Sequence, residues 1–379
     1  MREYWTLDPD VVHLNHGSFG AVPRITQEAQ QRLRHEAEHN PMQWFRNRAG
    51  RLHDTRAAVA SYLDTAAANL ALVPNASTGV TSALRAVPAR PGQRFLLTDH
   101  AYGSVRFAAE RIAKQSGCTV DVVDIPLDAD DDQVLTLVAS AMHEHTACVV
   151  VDEIASATTK VFPTRRIAAL GKEAAVPVIV DGAHAPGLVD SPVVGDFWTG
   201  NLHKWPCAPR GTAALYVDPA YQHLTPSPTV SWGERDGYPA SFDIQGTVDD
   251  TGWVAAPTSL DLLTDLGFAQ QRARLRQMLD DGAAAIAAAT GQRVLDVGSS
   301  PPTMRLLSLP PALLPDEAAK DQVQATLAAD TGVEVSLPWW NGTGYLRISA
   351  HLYNKPEDYT IAAERYATAF ASTEALAAR

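Results

Sequence analysis

The stretch Val178-Ile179-Val180-Asp181-Gly182-Ala183-His184 is an apolar run that stops on an acid and a glycine. It does not alternate apolar with polar residues, as expected of a strand covered on both faces in a parallel sheet. Open α/β sheets bind ligands beyond the carboxyl ends of their strands, which is where Asp181 would stand. The same acid also suits a plain turn before Gly182. Similar runs occupy Asn69 to Pro74, Arg94 to Thr98, Thr119 to Val123 and Ala147 to Asp152 upstream, and Asp196 to Thr199 and Ala213 to Val217 downstream. Helical patterns separate many of them, at Thr78 to Ala86, Ser104 to Ser116, Gln133 to His143 and Thr164 to Ala174. The alternation predicts an α/β domain whose mostly parallel seven-stranded sheet lies between helices. Near Pro257 the pattern changes to a long helical stretch through Ala289, then strand, strand, helix, strand, strand and helix, an α+β arrangement. The expected division is an N-terminal arm over 1–20, a large α/β domain over 21–254 and a small α+β domain over 255–379.

Composition narrows the function classes. In 379 residues, 31 Lys and Arg stand against 43 Asp and Glu, a net charge of -12. That balance argues against nucleic acid as a partner, since phosphate binding needs a basic face. The apolar share of 46% is enough for a sizeable core. No apolar run reaches the ~18 residues of a membrane span. Met1-Arg2-Glu3-Tyr4-Trp5 is not followed by an apolar signal-peptide core, so a cytoplasmic protein is expected. Cys118, Cys148 and Cys207 form neither a disulfide framework nor a CxxC metal motif.

Three segments carry candidate chemistry. Lys204 stands in Asn201-Leu202-His203-Lys204-Trp205-Pro206, between two apolar runs, whereas four of the other five lysines have polar neighbours. A desolvated lysine loses its proton readily, and such an amine is the usual partner of an aldehyde cofactor. Asp181 could hold a pyridine nitrogen protonated, turning a ring into an electron sink. In Leu72-Val73-Pro74-Asn75-Ala76-Ser77-Thr78-Gly79-Val80 a strand runs into a helix. Ser77 and Thr78 there would offer hydroxyls and N–H groups to a phosphate, or simply cap the helix. Asp128, Asp130, Asp131 and Asp132 suggest a calcium loop, but Gln133 replaces its glycine, so they are read as a helix start. His143 and His145 lack zinc-site spacing. No metal is expected.

Together the segments resemble the class V aminotransferases, fold-type I enzymes that use pyridoxal 5'-phosphate (PLP). His13-Leu14-Asn15-His16-Gly17-Ser18-Phe19-Gly20 and Asn40-Pro41-Met42 look most like the isopenicillin N epimerase-like branch. The resemblance implies that Lys204 is the Schiff-base lysine and Asp181 the pyridine-nitrogen partner. It places His184 at the ring 3'-oxygen, with Ser156 nearby, and Ser77, Thr78, Asn201 and His203 around the phosphate. Gly246-Thr247 would reach the neighbouring subunit's phosphate site, implying a homodimer with shared active sites. Within Asp99-His100-Ala101-Tyr102-Gly103, either Tyr102 or His100 would stack on the cofactor; Tyr102 is preferred because its hydroxyl can also act as an acid. Arg347 in Tyr345-Leu346-Arg347-Ile348-Ser349-Ala350-His351 falls at the substrate-carboxylate position, with Asn15 and His16 as further substrate contacts. Trp339 and Trp340 would shape a side-chain pocket or pack a loop, and Trp44, Phe45, Arg46 and Arg48 the substrate entrance or a dimer contact.

The implied substrate is an amino acid whose amine replaces Lys204 on the cofactor aldehyde, after which a Cα bond is broken. The cysteine desulfurases of this family carry a nucleophilic cysteine shortly before the arginine, and Val335 to Gly344 contains none. Persulfide chemistry of that kind is not expected, and the resemblance to a branch rich in C–S lyases implies a C–S β-lyase acting on a cysteine S-conjugate in thiol or antibiotic metabolism. The alternatives are an epimerase of the isopenicillin N type, a decarboxylating oxidative deaminase of such conjugates, and a catalytically silent subunit.

Overall fold

The apolar runs become the strands of one central sheet in the computed structural model, which describes residues 1–377. The arm contributes a short strand β1 (Val12–His13), followed by helices α1 (Arg24–His39), α2 (Pro41–Arg46) and α3 (Arg48–Tyr62). Then come β2 (Leu70–Val73), α4 (Ala76–Ala86), β3 (Arg94–Thr98), α5 (Gly103–Gln115), β4 (Thr119–Val123) and α6 (Asp131–Ala141). They lead into β5 (Thr146–Asp152), α7 (Thr164–Ala174), β6 (Val178–Asp181), β7 (Phe197–Asn201) and β8 (Ala213–Val217). The order across the sheet is β2-β8-β7-β6-β5-β3-β4. β3 to β7 run parallel to their neighbours, while β8 is antiparallel to both β2 and β7. No helix intervenes between β7 and β8, so the chain returns in the opposite sense.

β6 shows why its run lacks alternation. Val178 and Val180 pack into the core on one face of the sheet, and Ile179 packs into the core on the other. Each such side chain contributes about 1.5–3 kcal/mol by leaving water. The acids before Gln133 form a capping box at the start of α6, Asp130 accepting from the Gln133 backbone N–H. Lys160 is buried, its ammonium donating to the carbonyls of Leu127, Ala129 and Val297.

The stretch beyond residue 250 departs from expectation in two places. The helical run is two helices, α8 (Thr251–Asp265) and α9 (Phe268–Thr290), separated at Leu266-Gly267. Gly267 has φ +65°, a left-handed turn that glycine adopts without steric cost. Pro257 lies inside α8 rather than at a boundary. Of the first two expected strands, one is only a bridge between Val294 and Leu307, beside β9 (Met304–Ser308). Then follow α10 (Lys320–Thr331), β10 (Val333–Glu334), β11 (Trp339–Trp340), β12 (Thr343–Ser349) and α11 (Pro356–Ala377). β1 of the arm pairs in parallel with β10, and Trp5, Val12 and Leu14 enter the core built by α9, α11, β9 and β12.

Helix α4 reaches the sheet through Gly79. A Cβ at this position would lie 2.2 Å from Thr199 Oγ1 on β7. Alanine would raise intrinsic helix propensity by about 0.8–1 kcal/mol, but overpacking against a β-branched residue costs about 1–3 kcal/mol and prevails. Gly79→Ala should therefore lower stability in urea titration. A midpoint at or above the parent value would show that α4 can slide on the sheet.

Candidate active site

The carboxyl ends of β5, β6 and β7 converge on a cavity of about 190 Å³, closed from above by the arm and by the start of α4. β6 delivers Asp181 and, after a turn, His184; β5 delivers Asp152 and then Ser156; β7 runs on through Asn201 to His203 and Lys204. All seven side chains line the cavity, together with Ser77, Tyr102, Ser18 and Phe19.

The Lys204 amine lies 2.8 Å from His184 Nε2. Burial, then the nearby Arg347 guanidinium, lowers its pKa to about 7, against the opposing pull of Asp181 and Asp152. Trp205 Nε1 donates to His184 Nδ1 at 3.4 Å, which leaves the imidazole proton on Nε2, facing the unprotonated amine. Burial, then Lys204 and Arg347, keeps His184 neutral, well below the usual histidine range.

Asp181 accepts from the Ala183 backbone N–H at 3.0 Å. Asp152 is its register partner on the adjacent parallel strand, and both are buried. Burial raises both carboxyls, and Asp181 raises Asp152 further, so the pair resists double ionisation. Asp152 is absent from the sequence-derived candidates. Yet Val149-Val150-Val151-Asp152 carries the same signal as the Asp181 stretch, an apolar strand ending on an acid.

At the α4 end, Ser77 lines the cavity and its hydroxyl meets Ser104 Oγ at 2.8 Å. Thr78 does not line it: its N–H and hydroxyl both donate to the cap residue Asn75. Asn201 accepts from the Ala76 N–H at 2.9 Å, tying β7 to the helix start. His203 Nδ1 donates to Thr212 O at 2.8 Å, and burial lowers its pKa to about 4.

Arg347 on β12 is buried at the cavity edge. It donates to Ser156, both carbonyl and hydroxyl, and to Ser18 Oγ at 2.7 Å. Burial lowers even this guanidinium to about 10. Tyr102, the residue before α5, is half-exposed on the cavity wall. His100 lies outside the cavity, buried, with its ring nitrogens engaged by Thr158 Oγ1 at 2.7 Å and Ile125 O at 2.9 Å. Trp340 packs on His100 and donates to Asp99 O, so it braces that segment. Asn15 and His16 are also outside the wall; Asn15 holds Val335 O and accepts from Ser18. Thr247 is exposed and does not line the cavity; it follows Gly246, whose carbonyl accepts from Arg48. Arg48 also pairs with Asp250, to which Trp44 donates.

A family model described as aminotransferase class-V matches residues 19–360. The chain belongs to this family. Its cofactor is PLP and it is an enzyme. It is 28% identical over 376 residues to an isopenicillin N epimerase of Streptomyces clavuligerus, covering 93% of each chain. A putative L-cysteine desulfhydrase 1 of Oryza sativa subsp. japonica is 29% identical over 396 residues, covering 92% of this chain and 81% of the relative. Among solved structures, a mutant of C-DES with glycine covalently linked to the PLP cofactor superposes with a TM-score of 0.84. That match is 18% identical and covers 97% of this chain and 99% of the other, so the two chains share a fold.

The reactive amine gives a direct test. Lys204 is nucleophilic only when unprotonated, so its labelling by acetic anhydride in the cofactor-free protein should rise with pH through an inflection near 7. Below that pH the ammonium form dominates and labelling falls away. Arg347→Gln removes a cation that depresses the amine, and should move the inflection upward. Peptide mass spectrometry across pH 5–11 reads both, and an inflection near the ordinary lysine value of about 10.4 would contradict this electrostatic account.

Proposed function

We propose that this class V enzyme is a C–S β-lyase that converts a cysteine S-conjugate and water into pyruvate, ammonia and a free thiol. The donor set in the cavity fits PLP. Lys204 would hold the aldehyde, Asp181 the ring nitrogen and the His184 Nε2–H the ring oxygen. Ser77 at the start of α4 would hold the phosphate, with Asn201 and His203 beside it. Thr78, expected at the phosphate, has both its N–H and its hydroxyl committed to Asn75 and would not hold it. Tyr102, at the cavity wall, is favoured over His100 as the ring that covers the cofactor. When bound, PLP supplies an electron sink for negative charge at the substrate Cα.

The protein's own groups do the rest. Arg347 would bind the substrate carboxylate, two parallel N–H bonds fixing its orientation. Its present bonds to Ser156 and Ser18, both cavity-lining residues, hold the guanidinium beside the cavity. Lys204 would be the base that takes the Cα proton and then the acid that delivers a proton to the departing sulfur. Elimination requires only this one acid–base group on one side of the substrate. Inversion at Cα requires a second acid on the opposite face, and Tyr102 is the residue on which that would depend.

The observation that carries the lyase reading is the absence of a thiol from the cavity. All three cysteines are buried, and none lines it. No side chain is therefore placed to accept sulfur as a persulfide, and the sulfur leaves with its substituent. A second copy of the chain is also proposed to complete the phosphate site through Thr247. Exposed Met42 and Phe45 on α2, and Val230, Trp232 and Val248 in the 224–248 segment, support a covered surface there. Among the described residues no helix is long and apolar enough to cross a membrane.

A panel of cysteine S-conjugates assayed in deuterated water decides the reaction. Pyruvate and thiol in equal amounts are expected; deuterium at Cα of an intact product would select epimerisation, and carbon dioxide with an aldehyde the decarboxylating route. Arg347→Ala should raise KM for the conjugate by about tenfold or more, as loss of a charged hydrogen-bond pair costs about 1.5–3 kcal/mol. It should still take up PLP with an unchanged visible spectrum above pH 8, whereas loss of both would show a structural arginine.

A further inference from the structure

Lys204 has its side chain in the cavity, but its backbone is held from the other side. His16 of the arm and His351 after β12 stack there, with ring centroids 4.0 Å apart and planes 14° from parallel. His16 Nε2 donates to Lys204 O at 3.1 Å, and His351 Nε2 donates to Trp205 O at 3.2 Å. Consecutive carbonyls of the lysine turn are thus each gripped by one imidazole. Lys204 O also accepts from the Cys207 N–H at 2.9 Å, closing a turn in which Cys207 adopts φ +59°. A left-handed conformation at a non-glycine residue is strained and persists only where its surroundings enforce it.

The tautomers are fixed by the partners. His16 Nδ1 accepts from Tyr353 O–H at 3.0 Å, so its proton is on Nε2. Burial keeps both rings neutral, lowering His16 well below the usual range and His351 to about 3. Neutral rings can stack, and they add no cation beside Lys204. Cys207 Sγ lies 3.7 and 3.6 Å from the two Nε2 atoms, so three potential metal ligands cluster here. A metal binds an imidazole nitrogen in the ring plane, and near-parallel stacked rings direct their nitrogens side by side rather than toward one point. Both Nε2 atoms are also committed to carbonyls. The arm closes on the same turn at Gly20, where a Cβ would lie 2.4 Å from Lys204 O and 2.6 Å from His203 O.

We propose that His16 and His351 are positioning residues, a stacked imidazole pair that fixes the carbonyls of Lys204 and Trp205 and thereby aims the Lys204 amine at the cavity. This rests on Lys204 being the cofactor-binding lysine. His16, a substrate contact by resemblance, here acts through the backbone of another residue.

The test compares His16→Leu and His351→Leu, which remove the donor, with His16→Gln and His351→Gln, which return an N–H near Nε2. Leu279→Ala serves as a control, being buried on α9 in the same core and making no hydrogen bond to the lysine turn through its apolar side chain. Two rates are read: acetic anhydride labelling of Lys204 in the cofactor-free chain, and PLP uptake by visible absorbance. Each leucine variant should change both by about fivefold or more, the glutamine variants should recover most of it, and Leu279→Ala should match the parent even when equally destabilised. Parent-like rates in a folded leucine variant, or equal losses in Leu279→Ala, would overturn the proposal. Where the leucine variants do not fold, Tyr353→Phe removes only the hydroxyl that holds the His16 tautomer. It should slow uptake about two- to fivefold, and a parent-like rate overturns the proposal equally. A parent protein that takes up no PLP would refute the cofactor assignment instead, while the labelling comparison still decides the role of the imidazole pair.

Discussion

Desolvation of charge is the constraint on which the site depends. An amine and two carboxylates line one small cavity, a guanidinium bonds to its Ser18 and Ser156, and the carboxylates and the guanidinium are buried. Each would be costly alone. Together they offset one another: Arg347 and the burial of Lys204 favour a neutral amine, while the carboxyl pair sheds one charge rather than hold two. The chemistry of the lysine is thus set by neighbours that never touch its nitrogen.

The scaffold makes this arrangement possible by placing the acids on adjacent parallel strands. Asp152 and Asp181 are level because β5 and β6 are in register, and the register is pinned by apolar side chains that enter different cores on alternate residues. A slip of one residue on β6 would turn Asp181 out of the cavity and a valine into it. The lysine turn is held by contacts far apart in sequence, from the arm on one side and the segment after β12 on the other.

Local pattern explains what the sequence made legible. Apolar runs and amphipathic stretches located the strands and helices of the large sheet, and Lys204 and Asp181 stood out because an isolated lysine and a strand-terminal acid are local signals. The antiparallel sense of β8 follows from a missing helix between two strands, a detail that alternation alone does not weigh. The break at Leu266-Gly267 was hidden inside continuous helix formers on both sides. His351 and the true setting of His16 were not legible, because their function is a contact between residues some 190 and 150 positions from the lysine turn, which only tertiary structure reveals. His100 and Tyr102 differ by two residues, and only the turn before α5 separates one that is walled in from one that faces the cavity.

The pairing of β1 with β10 has a temporal consequence. Residues 12 and 13 leave the ribosome long before their strand partners, Val333 and Glu334. The large sheet can form as the chain emerges, but the arm has no partner strand until β10 has been made. Until that strand exists, the floor of the cavity can be built without the arm residues Ser18 and Phe19 that line it.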